Sequence, residues 1–261
     1  MSKNVRELFD TLEAEGDITP ESKQALVVAD MGADIQAALG IDVNIVEASE
    51  VVLVTQMIDD SSSIQFAGNK QVMINGHNLV LDSIADSKMK DNILAHTRLM
   101  HTGVLMAYGL INSVVRLDTS SYRPSGDTPL FDATVATLAA VLAKARDFED
   151  NGVAVRTITL IATDGGENAS MNIRHVSEVA SVIKDMLKAE THIIAGMGID
   201  DGSTDFRQIF AEMGIPDEWI LTPGNTEKEI REAFQLFSSS ATRVSQGAQS
   251  FSKEAWGGYG N

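Results

Sequence analysis

No cysteine occurs in the chain, which removes disulfides, zinc–thiolate centres and cysteine nucleophiles together. Basic residues are also few: 20 Lys and Arg stand against 37 Asp and Glu, a formal net charge of −17. Nucleic-acid binding leaves a basic footprint, and none is visible. The same deficit disfavours an anionic membrane surface. No apolar run is long enough to span a bilayer. The stretch from Met1 to Glu7 has no apolar h-region, so no signal peptide is expected and the cytoplasm is the expected location. There is no G-x-x-x-x-G-K-[ST] loop for a P-loop NTPase and no G-x-S-x-G elbow. The five histidines never take an H-x-x-x-H spacing that would suggest zinc.

What is present is an ordinary globular balance, 44% hydrophobic and 22% charged over 261 residues, enough for one large domain with a substantial core. The acidity is concentrated early, with 11 acidic against 3 basic residues in the first fifty. Val5, Leu8, Phe9 and Leu12 recur at helical spacing, and Gly16-Asp17 ends that helix. Thr19-Pro20-Glu21 starts a second helix, with Thr19 as N-cap, running towards Leu39-Gly40. From about residue 48 strands alternate with helices. A strand at 51–58 precedes a helix at 67–86, on which Val72, Gly76, Val80 and Ile84 share a face, with Gly76 allowing close approach to a sheet. Strands at 92–99 and 104–112 read as a hairpin turning at His101-Thr102-Gly103. A helix at 129–148, strand 155–162, helix 172–188, strand 192–198, helix 204–213, short strand 219–221 and helix 226–238 complete the pattern.

This order predicts an α/β fold: a Rossmann-like, doubly wound, mostly parallel sheet with one antiparallel edge strand, preceded by N-terminal helices. The expected divisions are an acidic helical extension over 1–47, the α/β domain over 48–240 and a polar tail over 241–261.

The most informative stretch is Asp59-Asp60-Ser61-Ser62-Ser63, just past the end of the first strand. Its D-x-S-x-S spacing puts hard oxygen donors in a tight loop, which suits a small hard cation. Two later segments carry the same chemistry, Gly126-Asp127-Thr128-Pro129-Leu130 and Ala162-Thr163-Asp164-Gly165-Gly166. In a doubly wound sheet, ligands bind at the carboxyl ends of the strands where the winding reverses. Strands ending in Asp59 and Asp164 are the natural pair flanking that reversal, and the loop before the 129–148 helix can deliver Thr128 from the side.

These three motifs, in this order, resemble the von Willebrand factor A (vWA) family and its metal-ion-dependent adhesion site. The resemblance covers roughly residues 48–240. The run Thr128-Pro129-Leu130-Phe131-Asp132-Ala133 is similar to the family's cytosolic bacterial branch. The resemblance implies a metal site of Asp59, Ser61, Ser63, Thr128 and Asp164, holding Mg²⁺ with Mn²⁺ and Ca²⁺ as alternatives. The hydroxyls would meet the ion directly at about 2.1 Å, and the two aspartates would act mostly through water. It implies a protein partner whose Asp or Glu completes the metal's shell. Company such as a MoxR-type AAA+ ATPase comes by family analogy alone. The strong net negative charge would repel an acidic partner at long range, so binding is expected to depend strongly on Mg²⁺.

Other readings stay open beside this one. Thr128, with Pro129 after it, also reads as a helix N-cap, which would turn its hydroxyl away from a metal. Asp60 and Asp127 are expected to be loop-bonded or solvated; Glu167 and Asn168, which follow the T-D-G motif, are expected as solvated loop residues, with a place on the rim of the site as the alternative. His96 and His192 are expected as satisfied buried imidazoles, and the eleven methionines as core filler. A dehalogenase-type phosphatase needs D-x-D, and Ser61 stands where the second acid would be. The expectation is a binding module with no catalytic residues. A self-assembling structural subunit is the first alternative, and a Mg²⁺-dependent phosphoesterase the second.

Overall fold

The computed structural model describes residues 5–27, 31–46, 48–88 and 90–245. Its centre is β1 (Glu50–Ile58), a mostly apolar run buried from Val51 onward on both faces, with Thr55 and Gln56 as its buried polar residues. Such a near-continuous run marks a strand covered from both sides, where an alternating one would face water on one side. It pairs in parallel with β2 (Ile93–Leu99) on one side and β4 (Ala154–Thr163) on the other. Beyond β4 lie β5 (His192–Gly198) and the two-residue β6 (Ile220–Leu221), both parallel. Beyond β2 lies β3 (Gly103–Leu110), antiparallel and with irregular register. The order β3-β2-β1-β4-β5-β6 has the expected hairpin as its edge. The chain moves outward to one side from β1 and to the other from β4, so the winding reverses between those two strands.

Helices cover both faces. α5 (Lys70–Ala85) and α9 (Glu227–Ser245) pack together, and α6 (Leu130–Glu149) packs beside α7 (Val176–Lys188). Both α6 and α9 lie over β1 and β4 without packing on each other, which puts them on opposite faces. α8 (Phe206–Glu212) covers β5 and β6. Among the described residues no helix is long and apolar enough to cross a membrane.

Several elements differ from the sequence expectation. The second N-terminal helix is two: α2 (Pro20–Leu26) ends at Val27, whose backbone leaves the helical region, and α3 (Met31–Ala38) restarts it. The expected 67–86 helix begins earlier, as the short α4 (Ser62–Phe66), and resumes as α5 after a turn at Gly68. Gly76 is used against a helix and not the sheet: a Cβ there would lie 2.1 Å from Cδ2 of Phe234 on α9. The last helix continues to Ser245, past both the expected end at 238 and the division drawn at 240. The rest of the expected tail, 246–261, lies outside the described residues.

α1 (Val5–Glu15) buries Leu8, Phe9 and Leu12 in the main core. Thr19 caps α2 as expected, accepting the Ser22 amide. A distant acid holds the same turn. Asp185 on α7, nearly fully buried, accepts the Thr19 amide at 2.7 Å, the Thr19 hydroxyl at 2.7 Å and the Ser22 hydroxyl at 2.5 Å. Buried Lys144 on α6 donates to the Ile41 carbonyl at 2.6 Å and anchors the chain after α3.

Candidate functional site

The register Ile58↔Ala162 aligns the carboxyl ends of β1 and β4. One residue on, the Asp59 amide donates to the Ala162 carbonyl at 2.9 Å, which sets Asp59 beside Thr163 and close to Asp164. This is the point where the winding reverses, the crevice in which such sheets bind ligands.

Asp59 is fully buried. Its Oδ1 accepts the Ser61 amide at 2.7 Å and its Oδ2 accepts the Thr163 hydroxyl at 2.6 Å. Those bonds fix the loop so that Ser61 and Ser63 face the same way, their Oγ atoms 2.8 Å apart. The Ser63 hydroxyl donates to Asp164 Oδ1 at 2.5 Å. Thr128 arrives from the third segment. A Cβ built on Gly165 would stand 2.8 Å from Thr128 Oγ1 and 3.5 Å from Ser63 Oγ, so only a glycine here lets the two hydroxyls converge beside Asp164. All five predicted residues meet at one place.

The N-cap alternative for Thr128 is not what forms. Helix α6 begins at Leu130, with Pro129 before it and no cap bond from a side chain at that position. Its free amides are met from the loop after β4: Glu167 Oε2 accepts the Phe131 amide at 2.8 Å and Ser170 Oγ the Asp132 amide at 3.0 Å. Asn168 pairs with the Thr128 backbone in both directions. Glu167, Asn168 and Ser170 thus build the site, where the sequence reading had taken the first two for solvated loop residues. The one sequence signal pointing to them is their place directly after Thr163-Asp164-Gly165.

Asp60 turns away from this centre, accepting the His101 amide at 2.6 Å and the amide and hydroxyl of Thr102. It ties the site loop to the β2–β3 turn. Asp127 is exposed. The loop before α6 is strapped down by Ser125 to the Asp60 carbonyl at 2.7 Å, by the Ser62 amide to the Gly126 carbonyl at 3.0 Å, and by the buried Tyr122 hydroxyl to the Asp59 carbonyl.

Burial pushes the Asp164 carboxyl up to about 6. The Ser63 and Asn69 side chains oppose that, and the charges of Asp59 and Asp201 add to it. Burial also raises Asp59, against the hydrogen bonds from Thr163 and Ser61. The nearby charge of Asp60 adds to the rise at Asp59, as like charges do. Three hydroxyl oxygens and two carboxylates are hard donors and fit Mg²⁺ chemistry. The set is not a cluster of acids and imidazoles; among the described residues no group of three or more His, Asp or Glu is arranged to hold a metal.

Three buried histidines stand apart from it, whereas His101 lies against Gly126 of the Thr128 loop. His77 Nε2 meets Thr97 Oγ1 at 2.9 Å, and His192 Nδ1 meets Thr157 Oγ1 at 2.8 Å. His96 Nδ1 meets the Met106 carbonyl at 2.6 Å, while its Nε2 is buried with no partner, so this imidazole is only half satisfied. Burial lowers all three to about 4, and they stay neutral at physiological pH. A cleft of about 630 Å³, lined by Leu187, His192 and Trp219 among others, opens at the opposite end of β5 and contains none of the site residues.

No protein-family model matches the sequence, and no curated protein matches it. Solved structures do. The pilus adhesin SpaC from Lactobacillus rhamnosus GG superposes with a TM-score of 0.52 at 10% identity, over 74% of this chain and 31% of that one. Proximal thread matrix protein 1 from the mussel byssus gives 0.49 at 20% identity, over 73% of this chain and 48% of that one. The SpRpn10 VWA domain gives 0.46 at 11% identity, over 76% of this chain and 98% of that one. This chain thus spans about half of the mussel protein and about a third of the adhesin. At these identities the likeness is one of fold. What is shared is a Rossmann-like, mostly parallel six-stranded sheet with one antiparallel edge.

Proposed function

We propose that this chain is a protein-interaction module whose contact surface contains a divalent cation, Mg²⁺ by preference, held by Ser61, Ser63, Thr128, Asp59 and Asp164. What supports this reading is the meeting of those five side chains, from three separate loops, at the switch point of the sheet. The cation, when bound, supplies a positive centre that accepts one more anionic oxygen. The protein's own part is orientation. Asp59 and Thr163 fix the first loop, Gly165 leaves room for Thr128, and Asn168 holds the Thr128 backbone.

In this reading a partner's Asp or Glu completes the site, and the role is binding without catalysis. Residues 48–240 carry the module. Residues 1–47 are an acidic extension, of which the described helices α2 and α3 pack on α7 and α6, and 241–261 a polar tail whose first residues, to Ser245, continue α9. A MoxR-type AAA+ ATPase as partner, and a cytoplasmic setting, follow only from the resemblance of the motifs to the bacterial branch of the family.

Calorimetric titration of Mg²⁺ tests the site. Saturable binding that is lost in both Asp59→Ala and Ser61→Ala is the expected result, and equal binding by wild type and both variants would sink it. Retention of a protein partner in Mg²⁺ but not in EDTA tests the adhesion role.

A further inference from the structure

Two of the most exposed large apolar side chains among the described residues flank the candidate metal site. Phe66, 87% exposed, closes α4 and stands three residues past Ser63, hence on the same side of that helix. Met171, 73% exposed, projects from the loop that follows Asp164. Its amide is tied to Asp132 Oδ2 at 2.8 Å, so the loop lies across the start of α6, next to Thr128. One apolar group therefore rises from the Ser61–Ser63 side and the other from the Thr128–Asp164 side. Exposed residues of this size around a polar centre mark contact surfaces, in which aromatic and methionine side chains are enriched.

Exposed carboxylates lie on the neighbouring loops. Asp127, Asp200 and Asp201 are exposed, and the charge of Asp201 is felt at Asp164. A run of acids would gain at the metal and lose at these three carboxylates. A lone acid with apolar neighbours would gain at both.

Resting on the metal-dependent reading above, we propose that the partner segment presents a single carboxylate between apolar side chains, the carboxylate completing the metal site and its neighbours packing on Phe66 and Met171.

The probes are three capped heptapeptides, Gly-Ser-X-Asp-X-Ser-Gly, with X leucine, serine or glutamate, titrated into the full chain in Mg²⁺ and in EDTA. Mg²⁺ binding is measured first, without peptide, so a failure of the metal reading shows itself separately. The leucine peptide is expected to bind at least tenfold more tightly than the serine peptide, and the glutamate peptide most weakly, all only in Mg²⁺. In Phe66→Ser/Met171→Ser the leucine advantage should vanish, with Mg²⁺ affinity and serine-peptide affinity unchanged. Both positions are exposed, so the fold survives the changes. Leucine and serine peptides within twofold of each other would overturn the proposal, as would a leucine advantage that survives in the double variant. Mg²⁺ bound with no peptide bound would also overturn it, leaving the metal site standing.

Discussion

Asn168 and Thr128 hold one another by two hydrogen bonds. The Thr128 amide donates to Asn168 Oδ1 at 2.8 Å, and the Asn168 amide donates to the Thr128 carbonyl at 3.2 Å. The loop after β4 thereby fixes the height at which the Thr128 hydroxyl enters the site.

If that clamp matters, Asn168→Ala leaves the donors present but loosely set. Loss of a side chain that orients a metal-binding residue weakens metal binding by about 10- to 100-fold. Calorimetry with Mg²⁺ should show that weakening while circular dichroism stays that of the wild type. A dissociation constant within twofold of wild type would remove Asn168 from the site.

Asp164 gives a pH dependence with a definite sign. Its folded pKa of about 6 lies above the ordinary 3.8, so the metal-free protein loses stability as pH rises between those values. Metal binding runs the other way, because the cation competes with the proton. A single group titrating near 6 makes Mg²⁺ affinity about tenfold weaker at pH 5.0 than at 7.5. Titrations at both pH values check this. In Asp164→Asn the metal-free stability should lose this pH slope, and an unchanged slope would refute the assignment.

The anchor at Asp185 predicts a stability loss far from the site. Burial pushes this carboxyl up, but hydrogen bonds from Lys188, Ser22 and Thr19 outweigh it and bring it down to about 2. Its contribution is present above the ordinary 3.8 and lost as pH falls towards 2. Asp185→Ala strips partners from two hydroxyls and an amide, at a cost of roughly 2–4 kcal/mol. Urea denaturation at pH 7 measures it, and a loss below half a kcal/mol would mean α2 does not depend on this residue.

Gly76 and Phe234 make a size-complementary pair between α5 and α9. Gly76→Ala places a methyl group inside the phenyl ring's space and should destabilise by about 1–3 kcal/mol. Adding Phe234→Leu should recover part of that, which a double-mutant cycle would register. Strict additivity of the two changes would show that they do not touch.

The strand ends and the three site motifs were legible in the chain because each is local. Apolar runs stop at Ile58 and Ala162, and the donors follow at once. The outlying roles were not legible. Glu167 reads as a polar loop residue until it is found accepting an amide 36 positions away, and Asn168 likewise at 40. The open choice for Thr128, cap or site residue, turned on whether other side chains would meet the α6 amides. Nothing within the T-P-L segment contains that answer.

The sequence alone determined the alternation of strands and helices, the hairpin edge and the three donor loops, because periodicity and short motifs act over a few residues. Only the tertiary structure decided which partner each long-range group takes. Gly76 faces Phe234, Asp185 holds Thr19 across 166 positions, and Phe66 and Met171 are left in solvent beside the site. Those outcomes depend on strand register and helix packing, which bring distant residues within bonding distance and are not written in any one segment of the chain.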